Sequence, residues 1–146
     1  EHQLERTITI FPWIAIIDKF QHWVYENPAH TVAERTATWT AILKEFSTNS
    51  IDYTGLDAYR EIGWQRQLHL FEVPFYYIEY GIAQLGAIGL WMQYQQNPKQ
   101  ALQNYINALS LGGTKTLPEL YKAARLEFNL SPDYIKTLME FTAKEM

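Results

Sequence analysis

Between Val73 and Tyr94 the chain carries no Lys or Arg, and small residues at Gly81, Ala83, Gly86, Ala87 and Gly89 punctuate its apolar side chains. A run of this length and composition must be buried, and the small residues let neighbouring backbones come close. Glu79, Gln84 and Gln93 recur along it, so three polar side chains and three glycines favour a helix buried in a helical protein over a membrane span. The spacing predicts a helix from about Phe75 to Gln96, apolar nearly all round and therefore central.

The rest of the chain reads as helices separated by short breaks, with no confident strand. Ile10, Trp13, Ile14, Ile17 and Val24 mark the face of a first helix, with Pro12 at its first turn or at a kink, and Asn27-Pro28 ends it. Thr31-Val32-Ala33-Glu34 has capping-box spacing and opens a second helix with Val32, Trp39, Ile42, Leu43 and Phe46 on one stripe. That helix fades into Ser47-Thr48-Asn49-Ser50. Leu56, Tyr59 and Ile62 support a short third helix, whereas Leu68 to Val73 reads as an extended connection because Pro74 disfavours helix at the residue before it.

After the long helix, Asn97-Pro98 caps a fifth that stops near Gly112-Gly113. Thr116-Leu117-Pro118-Glu119 opens a sixth, and Ser131-Pro132-Asp133 a seventh with Tyr134, Leu138 and Phe141 inward. The expected fold is all-α, about seven helices packed around one long apolar helix. With 146 residues, 47% of them hydrophobic, residues 1–146 are expected to form a single helical unit around one sizeable core.

A formal charge of −4 without a run of Lys or Arg argues against nucleic acid as a partner. The chain has no Cys, which removes disulfides and thiolate metal sites and fits a reducing compartment such as the cytoplasm. None of His2, His22, His30 and His69 is followed by Glu and then by His at the spacing of a zinc-peptidase helix, and reversed spacing fails at Val73. Gly112-Gly113-Thr114 is no phosphate loop, because Lys115 lacks the Walker spacing and a preceding strand.

The residues that do suggest chemistry begin at His69. Tyr77 and Tyr80 lie three apart and Tyr76 and Tyr80 four apart, so in a helix their hydroxyls would share a face with an imidazole nearby. Neutral donors gathered in this way suit a developing oxyanion, although tyrosines alone read first as core aromatics with satisfied hydroxyls. His22 reads as a packed or solvent-facing side chain, and His30 as serving the helix cap beside it. Glu79, if buried, would need a partner that the sequence does not identify.

Four segments extend the reading: FPWIAIIDKFQHWVYENPAHTVAER, WQRQLHLFEV, HLFEVPFYYIEYGIAQLGA and LGGTKTLPELYKAA. They are long, rich in Trp and ordered as in the carboxy-terminal part of oligoendopeptidase F, which the chain resembles, within the thimet-oligopeptidase-like family of zinc metallopeptidases. The resemblance implies an almost wholly helical peptidase for short peptides, whose zinc is held by an HExxH helix and a later Glu, both preceding the matched region. It also implies that His69, Tyr77 and Tyr80 face the reacting carbonyl, that Tyr76 contacts substrate, and that Gly112-Gly113 lie near the cleft, where the family has Gly-Gly-Ser. One departure is that Leu70-Phe71-Glu72-Val73-Pro74 lacks the glycines that follow the His in the thimet branch, so no flexible hinge is expected there.

The opening Glu-His-Gln-Leu-Glu-Arg reads as mid-helix, which points to a piece of a longer catalytic domain. On that reading the zinc belongs to the parent protein, the 146 residues alone bind none and cleave nothing, and the missing amino-terminal part is their partner. Self-association of the isolated chain is a further expectation. The alternative is a free-standing helical module that binds peptides without catalysis.

Overall fold

The computed structural model describes residues 2–48 and 51–145; Glu1, Asn49, Ser50 and Met146 lie outside them. Eight α-helices and no strand occur among the described residues, in the order α1 His2–Glu26, α2 Val32–Phe46, α3 Asp57–Glu61, α4 His69–Glu72, α5 Ile78–Gln96, α6 Pro98–Leu109, α7 Leu117–Ala123 and α8 Pro132–Lys144. The architecture is all-α, and no helix among the described residues is long and apolar enough to cross a membrane. The chain divides into two compact units, residues 9–81 and residues 1–8 with 82–146.

In residues 9–81, α1 runs through Pro12 rather than starting there. A proline inside a helix forfeits the bond its N–H would give four residues back, which removes one rung near the point where the two units divide. Past it, Ile16, Ile17 and Phe20 pack on Trp39 and Ile42 of α2 and on Trp64. Phe20 meets Trp39 edge-on with ring centroids 5.0 Å apart, and Trp13 meets the same indole at 5.9 Å, an arrangement favoured by the quadrupoles of the rings. The indole N–H of Trp39 donates to the Arg60 carbonyl at 2.8 Å and so fixes α3 to α2. Gly63 comes so close to this indole that an added Cβ would stand 3.3 Å from its nitrogen.

The α2 cap forms as its spacing predicts: the Glu34 amide donates to Thr31 Oγ1 at 3.2 Å, and the Thr31 amide donates to the Glu34 carboxylate at 2.7 Å. Two details of the sequence reading change. Val32 leads the expected stripe yet is 68% exposed, since it stands in the first turn, ahead of the stretch where Trp39 and Ile42 meet α1. Leu56, Tyr59 and Ile62 likewise lie exposed, and α3 is held through its backbone rather than through that face.

In the other unit, α5 supplies the buried Leu85 and Ile88, and α8 the fully buried Leu138. Trp91 and Phe141 pack edge-on at 4.7 Å. A chain of amides ties three helices together. Gln93 Nε2 donates to the Ala124 and Arg125 carbonyls at 3.2 and 2.8 Å, capping the end of α7. Gln93 Oε1 accepts from the buried Asn104 at 3.0 Å, whose own oxygen accepts from Gln100 at 3.0 Å. A buried amide satisfied on both ends, as that of Asn104 is, contributes order as well as energy.

Asn97-Pro98, Thr116 with Glu119, and Ser131-Pro132 open α6, α7 and α8 as their sequences predict. The glycines of α5 are sites of close approach. A Cβ on Gly86 would meet the Tyr121 hydroxyl at 2.7 Å and its Cζ at 3.1 Å, and one on Gly89 would meet the end of Leu126 at 2.9 Å.

Tyr121 is anchored by donating its hydroxyl hydrogen to the Ile82 carbonyl and by an edge contact with Phe128, whereas Leu126 can turn aside. Ala in a helix gains about 1 kcal/mol over Gly, and overpacking typically costs about 1–3 kcal/mol. Gly86→Ala is therefore expected to destabilise by about 1 kcal/mol and Gly89→Ala to be neutral or stabilising. Denaturant titration of the two variants checks the order.

Burial raises the Tyr121 phenol above the ordinary value of 10.0, and Tyr134 adds to the shift against a hydrogen bond from the Gly86 backbone. A group whose folded pKa lies above its unfolded one contributes stability that is complete below pH 10 and is lost as pH rises through the folded value. Unfolding free energy should therefore fall above pH 10, and Tyr121→Phe should make that fall shallower in titrations on either side of it.

Candidate functional site

The candidate site is built on a reversal of the chain between His69 and Tyr80, inside the unit of residues 9–81. Trp64, in a 3-10 turn over Gly63–Arg66, is buried beside Phe20 and fixes where this segment begins. The expected extended connection at Leu68 to Val73 is instead the single helical turn α4, His69–Glu72. Pro74 does act as a stop, but its effect reaches only Val73, whose φ of −138° and ψ of 81° have left the helix.

A four-residue turn follows, closed by the Tyr76 amide donating to the Val73 carbonyl at 3.2 Å. Its third residue, Phe75, has a φ of 57°, the left-handed region that favours glycine. Two devices hold it there. The Phe75 amide donates to Gln21 Oε1 at 2.8 Å, and the Phe75 ring packs on His22 and Tyr25 of α1 with centroids 4.8 and 5.1 Å apart. Because of this turn α5 starts at Ile78 rather than near Phe75, leaving Tyr76 and Tyr77 ahead of the helix.

The reversal returns all three tyrosines to His69. The imidazole stacks on Tyr76 at 5.9 Å and meets Tyr77 and Tyr80 edge-on at 5.0 and 5.8 Å, while Tyr80 contacts Tyr76 and Tyr77 at 5.7 and 5.1 Å. His69 Nε2 lies 3.3 Å from the Tyr80 hydroxyl, and His69 Nδ1 lies 2.7 Å from the amide nitrogen of Gln67. Tyr76 and Tyr80 are 47% and 43% exposed, so the group is open on one side and can meet a ligand. Burial raises the Tyr77 phenol, opposed by a hydrogen bond with Trp13 and reinforced by Tyr80, so this hydroxyl keeps its proton at neutral pH.

The cluster thus offers an imidazole and three phenols as hydrogen-bonding groups. Gly112 and Gly113, also singled out in the sequence, lie in the other compact unit in a short 3-10 turn after α6, with Gly112 at a φ of 53°. Glu79 is exposed, which removes its need for a buried partner. His22 lies 3.6 Å from Asp18 and against Phe75. His30 serves the α2 entry: its Nδ1 meets the Asn27 carbonyl and its Nε2 accepts from Arg35 Nε at 2.7 Å.

Gln21 and Gln67 are the supporting residues that the sequence reading omits. Gln21 stands among Ile17, Phe20 and Val24 on the core stripe of α1, and an amide on such a stripe is a visible signal. Gln67 precedes His69 on an irregular stretch and carries no comparable mark.

Comparison with curated proteins finds no match. Among solved structures, one described as an oligoendopeptidase F superposes with a TM-score of 0.83 at 33% identity, covering 98% of this chain and 25% of the other. A structure of PZ peptidase A with an inhibitor gives 0.87 at 34% identity, covering 97% of this chain and 25% of the other. This chain therefore spans about a quarter of the length of the solved structures it matches. The model of peptidase family M3 matches residues 1–140, nearly the whole sequence, and the chain belongs to that family.

Proposed function

We propose that this chain forms the wall of a peptidase active site that stabilises the oxyanion formed as short peptides are hydrolysed. The observation that carries the reading is the approach of His69 Nε2 to the Tyr80 hydroxyl at 3.3 Å, in a half-open cluster within a chain of peptidase family M3. When the carbon of a peptide carbonyl becomes tetrahedral, negative charge grows on its oxygen. A hydroxyl already fixed beside that oxygen favours the charged form over the neutral substrate, which is the differential binding catalysis requires. Tyr80 is the first donor, His69 the second and Tyr77 the third. Tyr76, stacked on His69, would rest against the peptide, and Gly112 and Gly113 are proposed to border the cleft.

The family implies zinc in its complete members, but the residues described in this chain do not fit the ion. No group of three or more His, Cys, Asp or Glu side chains that could hold a metal occurs among them, and one imidazole with three phenols is a poor zinc set. The ligands, the attacking water and the proton-transferring carboxylate are therefore assigned to the rest of the peptidase, and the chain alone is proposed to be inactive. The cytoplasm is the proposed location.

An open apolar groove in the unit of residues 82–146 supports the same division of labour. Ala83, Ala87, Leu90, Tyr105, Leu109 and Leu117 line about 360 Å³ of it. The matched solved structures are about four times as long as this chain, so the remainder of the peptidase is its natural cover.

In the complete enzyme, Tyr80→Phe is expected to lower kcat by about 10² to 10³ with little change in KM, and His69→Ala to act similarly. Wild-type turnover in a folded, zinc-loaded Tyr80→Phe enzyme would return Tyr80 to the role of a packing aromatic. For the isolated chain, the groove predicts a mass that rises with concentration in sedimentation, because uncovered apolar patches of this kind usually find a partner. A monomer across the micromolar to millimolar range would show that the groove needs no cover.

A further inference from the structure

From the contacts of the two imidazole nitrogens we infer that Gln67 is a positioning residue that fixes the tautomer of His69, and through it the direction in which the Tyr80 hydroxyl donates. The inference rests on the oxyanion role given above to Tyr80. Its starting point is that the two nitrogens of His69 have different partners: Nδ1 faces Gln67 Nε2 at 2.7 Å and Nε2 faces the Tyr80 oxygen at 3.3 Å. An amide nitrogen donates and cannot accept. With the amide nitrogen turned toward it, Nδ1 takes the acceptor role, and in a neutral imidazole the proton then sits on Nε2.

The consequence passes to the phenol. Nε2–H donates to the Tyr80 oxygen, so the hydroxyl hydrogen of Tyr80 is not used on His69 and is free to point at a ligand. The donation also draws electron density from the phenol oxygen, which makes its remaining hydrogen a stronger donor. In the opposite tautomer Nδ1–H would need an acceptor, and Nε2 would take the Tyr80 hydrogen for itself. The same four rings, in the same places, would then present an oxygen lone pair where a donor is required. Ring packing cannot choose between these states, because both tautomers have the same shape.

Gln67 is well placed for this choice. It directly follows the 3-10 turn Gly63–Arg66, and its own amide donates to the Trp64 carbonyl at 3.1 Å, so a buried indole sets the position of its backbone. Its side chain is half-buried between that turn and α4 and reaches the imidazole of a residue two positions later. Working histidines generally have their second nitrogen held by a partner that sets tautomer and ring orientation; that partner is usually an acceptor, and here it is a donor.

The test uses Gln67→Glu, which keeps the shape of the side chain and replaces the donor by acceptors, with Gln67→Leu as a variant that removes the donor and adds no charge. The 146-residue chain has four histidines, so ring nitrogens labelled with ¹⁵N can be resolved and assigned in long-range proton–nitrogen spectra. At mildly alkaline pH, where an ordinary imidazole is neutral, wild-type His69 is expected as the Nε2–H form. Gln67→Glu should convert it to the Nδ1–H form, and Gln67→Leu should leave a mixture, with the aromatic proton shifts of the core residues Trp39 and Phe20 unchanged as the control for folding.

In the complete peptidase Gln67→Glu should lose about 10-fold to 100-fold in kcat at nearly constant KM. A wild-type His69 already in the Nδ1–H form, or a tautomer that ignores both substitutions in folded protein, overturns the inference. A tautomer that switches as stated while kcat stays at the wild-type value upholds Gln67 as the group that sets it and overturns the oxyanion role of Tyr80. The nuclear magnetic resonance and kinetic readouts thus fail separately.

Discussion

The hydrogen bond from the Phe75 amide to Gln21 holds the candidate site in place. Gln21 is 2% exposed, so its amide sits where an unpaired oxygen would cost about 1–3 kcal/mol, and the Phe75 N–H points into the protein from a backbone conformation that itself costs about 1–3 kcal/mol outside glycine. Each group supplies what the other lacks. Gln21 is fixed by the core stripe of α1, and Phe75 is fixed to Gln21, so the turn between His69 and Tyr80 inherits the rigidity of the Trp39 and Phe20 core. Without a left-handed residue at this point the chain would not double back, and Tyr76 and Tyr77 would not face His69. A glycine at position 75 would adopt the conformation more readily, but it would lose the ring contacts to His22 and Tyr25 that add a second anchor. Neither anchor relies on the flexible hinge that glycines would provide.

Where helices begin was legible wherever the start is a local event. Thr31 with Glu34, Asn97-Pro98, Thr116 with Glu119 and Ser131-Pro132 each satisfy the first free amides from within a few residues, so their spacing alone specifies the cap. Where the start depends on distant groups, spacing misleads. The apolar run after Pro74 continues a helical pattern back to Phe75, yet α5 begins at Ile78, because Phe75 spends its amide on Gln21 of α1. Pro12 likewise reads by local rules as a first turn or a kink, and it lies inside α1. The exposed face of α3 has the same origin. Its periodicity is real, but the Trp39 bond to the Arg60 carbonyl orients the helix through its backbone and leaves Tyr59 outward.

The site shows the same division. Side-chain identity and order picked out His69 and the three tyrosines, because clustered neutral donors are unusual and the matching segments are long. Their mutual geometry was not legible, since an all-helical reading would place Tyr76, Tyr77 and Tyr80 on one helix, whereas a turn and the first residues of α5 bring them together. Gln67 was invisible for a different reason. A glutamine in an irregular stretch belongs to no periodic pattern, and its importance lies entirely in which imidazole nitrogen it reaches.

The hydrogen bonds of His69 avoid carboxylates and amines, and that choice of partners matters to the proposed role. Burial raises the Tyr77 phenol further, and the groups that touch His69 through hydrogen bonds are a side-chain amide and a phenol. A cationic donor would bind an oxyanion more strongly, but it would also hold an anionic product or a stray carboxylate in the ground state. Neutral dipoles fixed in advance stabilise the charge that appears during the reaction and retain little hold on what is there before or after. Fixing them is then the whole task of the surrounding structure. The chain performs it with two buried or half-buried glutamines, one aligning the backbone of the turn and the other meeting the imidazole, rather than with ion pairs that would shift the charge of the site.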